Sequence, residues 1–133
     1  MLRQALRGKE LTMPVAVDME NAALTVLKPK DLTNLAAYHL EQIEKMGFFA
    51  QLFTYTNYAN RNLEMERLAE RWDIWLADYT GKTPKAAFRY SAHQHTSKGS
   101  VPGINGPVDL DVTTVNYPRI IKAKGLTRLR EGA

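Results

Sequence analysis

The chain of 133 residues is 44% hydrophobic and 24% charged, the composition of one globular domain with enough apolar residues for a core. It has no cysteine, which excludes disulfides and thiolate metal sites, and its formal charge of +4 favours polyanionic partners only modestly. No segment approaches the roughly 18 apolar residues of a membrane span. The opening "MLRQALRGKE" lacks the apolar stretch of a signal peptide, so the chain as given reads as soluble and without an export signal.

In chain order, "MPVAVDME" is a short run rich in β-branched residues and predicts a buried strand, followed by the loop "NAALTVLKPK". From Asp31 to Met46, Leu32, Leu35, Ala36, His39, Ile43 and Met46 recur at spacings of three and four. That spacing predicts an amphipathic helix, with Gly47 placed to end it. "FFAQLFTY" reads as a second strand, "TNYANRNLEMERLAERW" as a polar turn and helix, and "DIWLADYT" as a third strand. A fourth strand is expected within "AAFRYSAHQHT". The Gly- and Pro-rich "SKGSVPGINGP" must be an extended loop. "VDLDV" then reads as a last short strand, and "NYPRIIKAKGL" as a terminal helix started by Pro118. The basic "KAKGLTRLR" reads as a solvated tail. No repeat or linker interrupts the chain, so residues 1–133 are expected to form a single domain.

Strands alternating with helices predict an α/β fold of parallel βαβ units, in an open sheet or in part of a barrel. An eight-fold β/α barrel takes about 200 residues or more, whereas this chain supplies about four or five strands. As a barrel it is partial.

Along a strand, Ala16, Asp18 and Glu20 share one face and Val15, Val17 and Met19 the other. The apolar face packs against helices, and the acids then point to a cleft or barrel interior near the strand's carboxyl end, where α/β folds bind ligands. Two carboxylates at i and i+2 lie about 6 to 7 Å apart. At that range each discourages the other's ionisation, which favours one protonated general acid beside one anion, the division that glycoside hydrolysis needs. A solvated strand end or a cation site would show the same spacing. Asp109 and Asp111 in "VDLDV" also share a face, directly after a glycine-rich loop; they either approach a ligand or cap a turn.

His93 and His95 flank Gln94 and lack a nearby third ligand, so plain strand or loop residues are the simpler reading. Tyr55, Tyr58, Trp75 and Tyr79 fall near predicted strand ends, where aromatic faces stack on sugars as well as packing cores. Walker-type, G-x-G-x-x-G and G-x-S-x-G patterns are absent, so phosphate, dinucleotide and serine-hydrolase chemistries lack their signatures. No nucleic-acid recognition motif is found.

Taken in order, these segments resemble the family 25 glycoside hydrolases, the N-acetylmuramidases or lysozymes of phages and bacteria. "PVAVDMEN" looks like the family's strand ending in D-x-E, "GFFAQLFTYTNY" like its aromatic strand, and "IWLADYT" like its W-x-A-x-Y strand. "HQHTSKGSVPGINGPVDLDV" is similar to its W-Q-Y-T-S-x-G-x-V-P-G-I-x-G-x-V-D-x-N ending. The resemblance runs from about Pro14 to Val112 and implies a modified β/α barrel that cleaves the β-1,4 bond between N-acetylmuramic acid and N-acetylglucosamine in peptidoglycan. It implies Glu20 as general acid and base, Asp18 as the residue that orients the substrate's N-acetyl group, and Asp109 as a further acidic site residue. Tyr55, Trp75, Asp78, Tyr79 and Gln94 fall in the matching motifs and are the expected substrate-binding residues. No metal or organic cofactor is implied, and the expected partner is the peptidoglycan glycan strand, met at the cell wall.

Three departures stand out. His93 and His95 replace the family's Trp and Tyr, and Asp111 replaces Asn. The family's N-terminal strands, with a D-x-S segment, have no counterpart before Met13, which implies that roughly a third of the expected domain is absent. A partial barrel exposes strand edges, so the contrasting expectation is a half-barrel that binds glycan or self-associates without activity of its own.

Overall fold

A computed structural model describes residues 1–132. After a short helix α1 (Leu2–Leu6), the alternating run becomes β1 (Val15–Met19), with Ala16 and Asp18 exposed and Met19 buried. The expected loop after it holds a 3₁₀ turn over Ala22–Val26, capped by the Asn21 side chain, which accepts a hydrogen bond from the Ala23 amide at 2.9 Å. Helix α2 (Pro29–Lys45) starts two residues earlier than expected, because Pro29 at its first turn supplies a preset φ and needs no hydrogen bond. Its buried face is Leu32, Thr33, Ala36, Leu40 and Ile43, whereas His39, expected on that face, is exposed. Each buried Leu or Ile contributes about 1.5–3 kcal/mol of transfer free energy.

Gly47 ends α2 at φ +98°. The Phe48 amide donates to the Ile43 carbonyl and the Gly47 amide to Glu44, the paired bonds of a Schellman cap. A Cβ at Gly47 would lie 2.8 Å from the Arg128 carbonyl oxygen, so the cap also leaves room for the C-terminal segment. That segment is tied down by the Arg130 amide, which donates to Met46 O at 2.8 Å, and by the Leu11 amide, which donates to Thr127 O at 2.8 Å.

Next come β2 (Ala50–Tyr55), α3 (Thr56–Asn62), α4 (Met65–Arg71) and β3 (Asp73–Ala77). The stretch expected as a polar turn is therefore the helix α3, which buries Thr56 and Ala59. No helix separates β3 from β4 (Ala92–Gly99). The fourth strand thus begins later than "AAFRY" and extends through Ser97, Lys98 and Gly99, residues expected in the loop. β5 (Val108–Thr113) and α5 (Tyr117–Ala123) complete the order.

The five strands form one open sheet in sequence order. β1 to β4 are parallel, as the alternation of strands and helices predicts, but β5 returns antiparallel to β4 in a hairpin with register shifts at Gln94/Thr96 and Thr96/Gly99. α2, α3 and α4 cover one face, where Leu32, Leu40, Leu52, Leu68, Phe48 and Ile74 form the core. The opposite face carries the acids. There, Asp18, Phe53, Trp75 and Ala92 are successive partners across the four parallel strands.

Candidate active site

The concave face is built from alternate residues of each strand, and its upper rim lies at the carboxyl ends of β1 to β4. Because β5 runs the other way, its first residues Val108 and Asp109 lie at that same rim, with Gly99 paired to Val108. Glu20, Tyr55, Asp78, Tyr79, Gln94 and Asp109 therefore share one end of the sheet, and Asp18 and Trp75 lie one layer below.

Glu20 follows the last residue of β1 and is exposed, as is Asp18. Partial burial raises the Asp18 carboxyl above the ordinary carboxylate value. Burial raises Glu20 as well, and the negative charge of Asp18 adds to the effect. Burial is thus the first cause for both acids, and the repulsion expected from their spacing adds only at Glu20. Two bonds hold the backbone on either side of Glu20. The buried Thr54 hydroxyl donates to Met19 O at 2.8 Å, and the Tyr58 hydroxyl donates to Asn21 O at 3.0 Å. Tyr58, expected as a sugar-stacking candidate, instead lies on α3, half-buried against the core, and serves as one of these ties.

Aromatic residues line the middle of the face. Trp75 meets Phe53 edge to face with centroids 4.7 Å apart, and Phe53 meets Tyr55 at 5.9 Å. The Trp75 indole N–H donates to Asp111 Oδ1 at 2.6 Å, which fixes the ring and gives Asp111 a partner across β4. The Tyr79 hydroxyl donates to Oε1 of the buried Gln94. The Tyr55 and Tyr79 hydroxyls lie 3.3 Å apart; the Tyr79 hydrogen is engaged in its bond to Gln94, so Tyr55 is the donor between them. Burial, the bond to Tyr55 and the nearby charges of Tyr55, Asp109 and Asp111 push the Tyr79 phenol up, so it stays protonated at neutral pH.

Asp78 is a scaffold residue. Its carboxylate accepts from the Thr56 hydroxyl at 2.8 Å and from the Thr80 amide and hydroxyl at 3.0 and 2.6 Å. Burial alone would raise its pKa, but these bonds and the nearby His93 hold it below the ordinary value. The His93 ring lies 3.0 Å from Asp78 O through Nε2, and packs edge to face on His95 at 6.2 Å. His93 is thus a structural partner of the β3 end.

The structure brings together Tyr55, Tyr79 and Gln94, links Trp75 to Asp111, and places Asp109 near enough to act on Tyr79. The acid pair of β1 and the acids of β5 lie on strands at opposite edges of the open sheet. A cleft of about 130 Å³ lies between Tyr55, Asp78 and Tyr79, and one of about 340 Å³ lies lower on the face between Trp75, Asp111 and Tyr117. Below it, the Tyr117 hydroxyl donates to Asp73 Oδ2 at 2.7 Å and receives Gln51 Nε2 at 3.1 Å, and Gln51 also donates to Asp73 at 2.7 Å. Neither this triad nor the Thr54 and Tyr58 ties is legible from motif spacing. The Asp78–Thr80 turn was not read from the sequence either, although an Asp two residues before a Thr is a signal for an Asx-turn.

Residues 2–104 match the family described as glycosyl hydrolases family 25. An autolytic lysozyme of Clostridium acetobutylicum is 35% identical over 65 residues, which span 49% of this chain and 19% of that protein. Among solved structures, a family 25 glycosyl hydrolase from Bacillus anthracis superposes with a TM-score of 0.65 at 22% identity. The superposition covers 83% of this chain and 54% of that one. The CTP1L endolysin gives 0.62 at 22% identity, covering 83% of this chain and 38% of that one. The open sheet thus resembles part of these larger barrel structures, and the chain spans about a fifth of the length of the curated relative.

Proposed function

The chain belongs to glycosyl hydrolase family 25, and from that premise we propose that its concave face is the peptidoglycan-cleaving part of a muramidase site. The observation that carries this reading is the acid pair at the carboxyl end of β1, where burial and Asp18 together raise Glu20. Glu20 donates its proton to the glycosidic oxygen as the β-1,4 bond breaks, then withdraws a proton from the water that completes hydrolysis. Asp18 stays ionised long enough to hold the amide N–H of the substrate's N-acetyl group, so that the acetamido oxygen attacks the sugar's anomeric carbon. Water then bonds to the anomeric carbon as the acetamido oxygen leaves and its proton passes to Glu20, which restores the N-acetyl group with overall retention. Asp109 contributes a further negative charge at the rim. Tyr55, Trp75 and Tyr79 offer aromatic faces to the sugar rings, while Asp78 and Gln94 hold Tyr79 and the β3 end in place.

A turbidity assay on purified bacterial walls tests this reading. The chain is expected to clear the suspension, and Glu20→Gln to abolish clearing; clearing unchanged by Glu20→Gln would overturn the assignment.

One observation favours a second reading, a half-barrel that binds glycan or associates with itself. β1 and β5 are each paired on one side only, so both edges of the sheet offer unpaired backbone groups. Light scattering over a concentration series separates the two: a monomer that clears walls defeats the second reading, and an inert oligomer supports it.

A further inference from the structure

The chain's positive charge is not spread over its surface. Residues 1–10 and 117–132 carry eight Lys and Arg against two Asp and Glu, a net of +6, whereas residues 11–116 carry ten against twelve. The fold gathers those two segments at the end of the sheet opposite the acids. The Leu11 amide bonds Thr127 O just before β1, and the Arg130 amide bonds Met46 O just before β2. Glu10 pairs with Arg128, which leaves the surrounding cations in excess. Arg3, Arg7 and Arg130 line one cleft of about 360 Å³, with Glu131 as its acidic member, and none of the three arginines forms an ion pair among the described residues.

The distance between the two ends decides whether they act separately. Glu20 lies five residues beyond the start of β1, about 16 Å along a strand, or about twice the screening length at physiological salt. The basic end therefore presents its own field to a polyanion, and the acidic rim is repelled by the same polymer. Such a molecule docks in one orientation, with the concave face turned away.

We propose that the basic end formed by α1 and the C-terminal segment binds a phosphodiester-rich anionic polymer of the bacterial wall, holding the chain there while the acid rim faces glycan. The choice of a wall polymer rests on the muramidase reading above; the charge geometry does not. Guanidinium groups suit this ligand because their planar fork matches phosphate oxygens.

The test measures binding of the whole chain to purified, soluble polyol-phosphate polymer by fluorescence anisotropy across 0.05–0.2 M NaCl. That polymer contains no cleavable glycan, so the result is independent of whether the chain lyses walls. Arg3→Gln/Arg7→Gln/Arg130→Gln is expected to weaken binding about tenfold or more and to reduce the log–log salt slope by about 2, at roughly 0.7 per phosphate contact on a single-stranded polyanion. Gln keeps the Cγ of Arg130 that packs over Gly47. The single Arg7→Glu, at an exposed position, guards against misfolding of the triple variant and is expected to weaken binding as well. Lys82→Gln/Lys85→Gln/Lys98→Gln removes three exposed charges outside the two terminal segments and is expected to leave binding unchanged. Equal losses in the two triple variants would overturn the proposal. So would tighter binding to single-stranded DNA of matched charge density than to the polyol phosphate.

Discussion

Asp78→Asn tests whether the rim is held by a charged scaffold. The substitution keeps the side chain's shape, and Oδ1 can still accept from the Thr80 amide and hydroxyl. The new amide faces the Thr56 hydroxyl, which can rotate to accept instead of donate. What is lost is the charge in three hydrogen bonds. Bonds to charged groups contribute about 1.5–3 kcal/mol against about 0.5–1.5 for neutral ones, and discounting for the half-exposed position leaves a net loss of about 1–2 kcal/mol. For a domain of this size that lowers Tm by roughly 3–10 °C. The pH dependence supplies the sharper check. Asp78 has a depressed pKa in the folded chain, so its contribution is fully present above the unfolded value of about 3.9 and is lost as pH falls through the folded value. Thermal unfolding of both proteins should show a gap at pH 7 that closes on acidification below about pH 4. A gap that persists unchanged at pH 2.5, or no gap at pH 7, would refute the scaffold role.

Gly47→Ala is expected to cost about 2–3 kcal/mol in urea unfolding, since a positive φ is unfavourable for Ala and the new Cβ meets the Arg128 carbonyl; a change below about 0.5 kcal/mol would remove the cap argument. Asp18→Asn and Glu20→Gln should leave stability at pH 7 unchanged or slightly raised. Both acids have raised pKa values, so their ionised forms favour the unfolded chain as pH rises above about 4, and exposure limits the gain to a few tenths of a kcal/mol. A marked drop in Tm for either would show a structural role instead. Thr54→Val, which removes the bond to Met19 O, should lower stability by about 1–2 kcal/mol; unaltered unfolding would show that the β1 end is held by other means.

Alternation in "PVAVDME" was enough to separate the core face of β1 from the acid face, because a two-residue period assigns every side chain to a side. The helix face of α2 was legible for Leu32, Ala36 and Ile43 for the equivalent reason. His39 was misplaced by taking one further step of three, when Leu40 continues the face. Direction along β5 could not be read, since alternation is the same in parallel and antiparallel strands. The polar α3 has too few apolar positions to show a period, and it is ordered by burial of Ala59 and by the Tyr58 tie. The triad of Gln51, Asp73 and Tyr117 joins residues up to 66 apart, so it exists only once the β5 hairpin brings α5 beneath the sheet.

The central claim is that the β1 acids perform glycoside hydrolysis. Chemical detection of newly exposed reducing N-acetylmuramic acid ends on purified peptidoglycan tests it most directly, comparing the chain with Glu20→Gln under conditions where both are folded. The account predicts that such ends accumulate with the unaltered chain and fall to background with Glu20→Gln. Equal release from both proteins would contradict it.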